Sequence, residues 1–193
     1  MISFELLSPG KYLPPDYWRR IAPQCRCVEV EFGPGDGRFL TEAARERPDT
    51  LFVGIEIRTG LARKLREYEA LLPNLRVYEF DARLVVSYLL ADATIDALHV
   101  YFPDPWWKKR HYKRRLVTPE VAAHMRRVLK PGGRVFLITD VEARFEEIRS
   151  TLLDAGFEQE RWSRSPDAPA QSSYERKYRR QGRTVYESSF AAS

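Results

Sequence analysis

The chain has 193 residues, 44% hydrophobic and 31% charged, with a net charge of +5 and a sequence pI near 9.3. This is the composition of one ordinary globular domain, and it excludes a disordered, collagenous or disulfide-stapled chain. No apolar run approaches the roughly 18 residues of a bilayer span, and MISFELLSPGKYLPP lacks the layout of a secretory signal, so a cytoplasmic protein with no membrane partner is expected.

Short β-branched runs alternate with helical ones from residue 26 onward. RCVEVEF (26–32) predicts a strand, followed by a helix in GRFLTEAARERP with Phe39, Leu40 and Ala43 on one face. Cys25 and Cys27, the only cysteines, read as core or strand-edge thiols, because C-x-C is too tight for an easy disulfide and no second pair completes a zinc site. TLFVGIEI (50–57) predicts a second strand, and Leu61, Leu65, Tyr68 and Leu72 recur at helical spacing after it. LRVYEF (75–80) and IDALHVYF (95–102) predict strands three and four. Thr118 caps a helix that begins at Pro119, and Lys130-Pro131-Gly132-Gly133 reads as its stop and turn. GRVFLITD predicts a fifth strand, and a long helix then runs to Gly156. FEQERW (157–162) and RTVYESSF (183–190) read as closing strands, with the polar SRSPDAPAQSS between them.

This alternation predicts one α/β domain over 1–193: a mostly parallel, doubly wound sheet of seven strands with helices on both faces. Residues 1–25 are expected to form an N-terminal arm, and 163–182 a flexible segment, substrate-contacting by the resemblance given below. Ligands of such sheets bind beyond the carboxyl ends of the strands, near the reversal of strand order. That rule selects 31–37, 56–58, 81–82, 103–108 and 140 as neighbours of one crevice.

Chemistry-bearing residues collect at those positions. Gly33, Gly35 and Gly37 make a G-x-G-x-G turn after the first strand, where a dinucleotide fingerprint would place its third glycine at Arg38. Glu56, about 20 residues on, is placed to accept ribose hydroxyls. Asp81 and Ala82 end the third strand, with an acid for an exocyclic amine and a small residue that leaves room for a ring. Glu31 is an acid within an apolar strand end and needs a cationic or hydrogen-bonding partner, from a ligand or from an internal arginine. With Asp104, these are four acids at the crevice of a basic protein. They favour a cofactor carrying positive charge, such as S-adenosylmethionine, over a pyrophosphate.

PDPWWKKRHYKRR (103–115) clamps Asp104 between two prolines and then presents two tryptophans and six Lys/Arg. Pro103 and Pro105 stiffen the backbone around the acid. Trp106 and Trp107 read either as core or strand-edge packing or as aromatic faces for a ligand, which the resemblance described below would make a flipped base. Lys108, Lys109, Arg110, Lys113, Arg114 and Arg115 form a phosphate-binding patch or a solvated face, and a second basic cluster follows at 176–183.

Taken together, EFGPGDG, GIE, FDA, FPDPWWKKRHYKRRL, LKPGGRVFLITD and SSYERKYRRQG resemble, in order and spacing, the bacterial single-chain tRNA (guanine-N7-)-methyltransferases over about residues 26–190. The resemblance implies a Rossmann-like class I methyltransferase fold, S-adenosylmethionine as donor, and a variable-loop guanosine of tRNA as acceptor. No metal and no obligatory protein partner are implied. By position it implies Glu31, Gly33, Gly35, Gly37, Glu56, Asp81, Ala82 and Asp104 at the cofactor, with Asp104 also catalytic. Lys108, Asp140, Ser172, Ser173, Tyr174 and Glu175 would touch the substrate, and Lys109, Arg110, Lys113, Arg114 and Arg115 its backbone. Ser172 stands where threonine is usual, and Trp107 where a small or polar residue is common. Three alternatives remain open at this level: a nicotinamide-dependent oxidoreductase, a non-catalytic RNA-binding module on the same fold, and a methyltransferase acting on another RNA.

Overall fold

The computed structural model describes residues 12–104, 110, 115–165, 168 and 170–192. In chain order the elements are α1 (Tyr17–Ile21), β1 (Cys27–Phe32), α2 (Arg38–Glu46), β2 (Thr50–Glu56), α3 (Thr59–Arg66), β3 (Leu75–Glu79), α4 (Ala82–Tyr88), β4 (Ile95–Tyr101), α5 (Pro119–Val128), β5 (Leu129–Thr139), α6 (Glu142–Asp154), β6 (Phe157–Glu160), α7 (Ser173–Arg180) and β7 (Tyr186–Ala192). The strands form one seven-stranded sheet in the order β3-β2-β1-β4-β5-β7-β6. The first five are parallel and β7 runs antiparallel between β5 and β6. The predicted sheet and its closing pair are therefore present.

Local chemistry accounts for the element ends. Thr118 caps α5 by accepting the Val121 N–H, with Pro119 in the first turn. Asp81 caps α4 by accepting the Arg83 N–H. The Lys-Pro-Gly-Gly run is absorbed differently from expectation. β5 starts at Leu129, directly after α5, and the run bulges out of the ladder. Ile95 pairs with Leu129, whereas Ala97 pairs with Arg134.

Two apolar layers bury the sheet. One contains Trp18, Val85, Val121, Met125 and Ile148 over Val30, Leu51, Leu98 and Leu137. The other contains Phe39, Leu40, Ala62 and Leu65 over Phe52, Leu75, Tyr101 and Ile138. In β1 the valines 28 and 30 and Phe32 join the first layer, so alternation turns Glu29 and Glu31 toward the second. Strand order reverses between β1 and β4. The turn after β1 and the chain after β4 consequently flank the point where such sheets hold ligands.

Candidate active site

Glu31 sits at the rim of β1, directly across from His99 of β4, and only 2% of it is exposed. Its Oε2 is buried with no hydrogen-bond partner. Burial raises the Glu31 pKa to about 8; Arg164 opposes the rise, and the charges of Asp36 and Glu56 add to it. Arg164, the internal arginine, only partly offsets the burial, and Oε2 finds no donor within the protein, so the residue presents an unmet demand for a donor or a cation.

The glycine turn lies just beyond. Gly33, Gly35 and Gly37 all have positive φ (70°, 61° and 72°), a conformation that L side chains rarely adopt. A Cβ at Gly33 would meet nothing within 4 Å, whereas one at Gly37 would lie 2.0 Å from Leu65 Cδ1. Gly33 thus borders open space and Gly37 is required by packing.

Glu56, at the end of β2, is buried and ties the glycine turn to the start of α3. It accepts from the Gly35 N–H (2.9 Å), the Arg58 N–H (2.9 Å) and Arg58 Nε (3.0 Å). The hydrogen bond to Glu56 raises the Arg58 pKa against partial burial, and the charges of Asp104 and Tyr174 act in the same direction. Asp104, exposed beyond β4, therefore lies within the field of an arginine bonded to the glycine-turn carboxylate. Asp81 is held by Arg83 Nε (3.1 Å) and Nη2 (2.6 Å). Burial works against its ionisation, but the Arg83 bonds outweigh it and keep the pKa below the ordinary value. Ala82 is buried beside it.

Beside the glycine turn lies α7, a helix the sequence reading did not assign. Ser172 caps it by accepting the Glu175 N–H (3.1 Å), and the Ser173 hydroxyl donates to Asp36 within the glycine turn. Tyr174 is 52% exposed and packs with Tyr178 and Phe102. Glu175 is fully buried and ion-paired to Arg164 (2.9 Å) and Arg179 (3.1 Å), so in this arrangement its carboxylate anchors the helix. Phe102 has φ +48°, a strained value for a non-glycine residue and one that redirects the chain into Pro103-Asp104. Asp140, beyond β5, is paired with Arg183 at 3.0 Å.

Arg164 is the principal residue that sequence reasoning missed. It is 9% exposed, donates to Tyr101 Oη, Ala170 O and Glu175, and lies over the rings of Phe39 and Tyr101 at 4.9 and 4.6 Å. An arginine inside a Ser/Pro/Asp/Ala stretch gave no sign of burial, because its partners come from α2, β4 and α7. Of the basic patch, Arg110 is exposed and Arg115 is paired with Glu147. Lys108, Lys109, Lys113 and Arg114 lie outside the described residues, as do Trp106 and Trp107. Cys25 and Cys27 are free thiols whose pKa values burial raises. Among the described residues no His/Cys/Asp/Glu group is arranged to hold a metal ion, and no helix is long and apolar enough to cross a membrane.

Residues 25–188 match the family described as "Putative methyltransferase". A tRNA (guanine-N(7)-)-methyltransferase of Marinobacter nauticus is 35% identical over 88% of this chain and 74% of its own length. The chain belongs to the tRNA (guanine-N7)-methyltransferase family. Its relative of the same name from a Synechococcus species is 35% identical over 73% of this chain and 60% of its own length. The chain spans about 60% of the length of such family members. Among solved structures, the 16S rRNA methyltransferase KamB superposes with a TM-score of 0.68 over 94% of both chains at 19% identity, which is a likeness of fold. The seven-stranded class I methyltransferase fold expected of this family is the one present.

Proposed function

We propose that the protein transfers the methyl group of S-adenosylmethionine to N7 of a variable-loop guanosine of tRNA, position 46 in tRNA numbering. The observation that carries this reading is the buried Glu31 carboxylate, its Oε2 without a hydrogen-bond partner, at the β1/β4 switch point of a chain belonging to this family. A buried, unpartnered acid fits a cofactor with cationic groups and opposes one that brings pyrophosphate. The open space at Gly33 fits the same group, since a side chain there would fill it. S-adenosylmethionine supplies, when bound, an activated methyl whose departure moves positive charge from sulfur to the acceptor. Glu31, Gly33, Gly35, Glu56, Asp81 and Ala82 are the residues that would hold it, with Gly37 fixing the turn against Leu65.

Guanine N7 carries an in-plane lone pair and no proton, so no general base is required. What the chain must supply is alignment and a favourable field for a cationic product. Asp104, braced by Pro103, has the charge and the exposure for that task. Phe102 and Tyr174 offer aromatic faces beside it for a base removed from its stack. Lys108 and the basic residues up to Arg114 would meet the phosphates, whereas Arg115 is held by Glu147. Each contact would add roughly 0.7 to 0.9 to the slope of log affinity against log salt.

The test is incubation of bulk tRNA with labelled S-adenosylmethionine, followed by mapping of the label. Label at N7 of one variable-loop guanosine is expected, and label on another base or none at all would overturn the reading. Asp104→Ala should lower single-turnover transfer on the order of hundredfold while tRNA binding persists, and Asp104→Asn separates its charge from its geometry.

A further inference from the structure

Asp140 and Arg183 form an ion pair whose surroundings are unusual for a surface contact. The Arg183 guanidinium lies over the Tyr178 ring, its Cζ 4.3 Å from the centroid, and donates from Nη1 to Asp140 Oδ2 at 3.0 Å. Its position is fixed by the backbone. The chain reverses at Gly182, where φ is +66°, and the Arg183 N–H returns to Tyr178 O at 3.0 Å. Tyr178 in turn packs 5.6 Å from Phe102, two residues before Asp104. A carboxylate, a guanidinium and the rings of Tyr178, Phe102 and Tyr174 therefore gather where the proposed base would lie.

We propose that Arg183 is a specificity-determining residue that reads O6 of the target guanine, held there by Asp140, the substrate residue the family resemblance already implies, whose carboxylate would take the neighbouring N1–H and N2 amine. The inference rests on the guanine-N7 reading above. The edge of guanine presents, in order, an amine donor, an imino donor and a carbonyl acceptor. A carboxylate takes the two donors side by side and has lone pairs to spare for Arg183. The oxygen that Arg183 already binds, Oδ2, is the one suited to N1–H, which leaves Oδ1 for the amine and sets the guanidinium beside O6. Adenine reverses both terms. Its N1 lone pair would face the carboxylate and its amine would face the guanidinium, so the pair repels the wrong purine as well as holding the right one. Contact on this edge also leaves N7 clear for the incoming methyl group.

The experiment uses the full chain and tRNA carrying guanosine, 6-thioguanosine or adenosine at the target position. Arg183→Gln should lower kcat/KM on guanosine by roughly tenfold or more. On 6-thioguanosine, whose sulfur is a poor acceptor, the wild type should already be slow and the substitution should cost little further. Arg183→Lys, which keeps a donor and a charge but not the planar fork, should recover part of the guanosine rate. The Arg183 side chain is 48% exposed, so loss of the pair should leave the melting temperature near that of the wild type. An equal loss on guanosine and 6-thioguanosine would overturn the assignment, and with a flatter salt dependence would return Arg183 to a phosphate contact. Absence of any wild-type transfer to guanosine N7 would instead overturn the underlying activity.

Discussion

Two glutamates on one strand, two residues apart and facing the same layer, behave in opposite ways. Glu29 lies deeper in β1, where Arg47 binds both of its oxygens (2.6 and 3.0 Å) and His99 Nε2 meets Oε2 at 2.9 Å. Burial works against its charge, but the His99 and Arg47 contacts outweigh it and depress the pKa to about 2. Glu31 lies at the rim, keeps Oε2 without a partner, and has its pKa pushed up to about 8. The protein satisfies the acid that belongs to its architecture and leaves unsatisfied the acid that borders the crevice. A buried charge is informative about ligands only when the fold declines to neutralise it.

The contrast breaks most visibly in stability. Glu29→Ala should cost about 2–4 kcal/mol, since it removes the partner of buried His99, while Arg47, 43% exposed, falls back on solvent. That corresponds to a fall of roughly 4–16 °C in melting temperature, measured by calorimetry. Because the folded pKa of Glu29 is depressed from 4.5 to about 2, its contribution is present above pH 4.5 and is lost as pH falls toward 2. Glu29→Gln should remove that part of the acid sensitivity. The glycine turn supplies a second architectural case. Gly37→Ala combines a positive φ with overlap on Leu65, and about 2–4 kcal/mol of destabilisation is expected by denaturant titration.

Glu31 should answer differently. Its folded pKa is raised from 4.5 to about 8, so the stability it contributes is complete below pH 4.5 and is lost as pH rises through 8. Glu31→Gln keeps the neutral shape, and its apo form should melt at or above the wild-type temperature at pH 8. A cationic ligand needs the ionised acid. Below pH 8, binding must therefore expel the Glu31 proton, and affinity should rise about tenfold per pH unit. Titration calorimetry with S-adenosylmethionine in buffers of different ionisation heat should report release of about one proton at pH 7. Glu31→Gln should abolish both the release and the slope. A wild-type protein that binds without releasing a proton would show that Glu31 does not face the cofactor.

These carboxylates also show how far the sequence could be read. The strands announce themselves because β1, β2 and β4 are β-branched runs bounded by turns, and an acid inside such a run marks Glu31 as a residue needing explanation. Nothing local distinguishes it from Glu29, whose partners Arg47 and His99 stand 18 and 70 residues away. The helices that escaped notice are the ones periodicity cannot find. α4 is seven residues long and carries the strand-like pair Val85-Val86, while the short α1 buries only Tyr17 and Trp18. α7, SYERKYRR, has almost no apolar stripe and docks through the buried Glu175 and the rings of Tyr174 and Tyr178. Its position is fixed by Arg164, which joins Glu175 to Tyr101 of β4.

The smallest expected effect tests the same distinction without any charge. Gly33 and Gly37 share a positive φ, but a methyl group at Gly33 points into open space while one at Gly37 strikes Leu65. Gly33→Ala should therefore lose only the cost of the left-handed conformation, about 1–2 kcal/mol, and less than Gly37→Ala in the same denaturant titration. If that space is where the cofactor lies, the added methyl should weaken S-adenosylmethionine binding by more than the small loss of stability explains. Saturating ligand should then raise the melting temperature of Gly33→Ala less than that of the wild type. Equal ligand-induced shifts in the two proteins would mean that Gly33 serves the turn alone, as Gly37 does, and would leave Glu31 as the only part of the β1 rim kept open for a ligand.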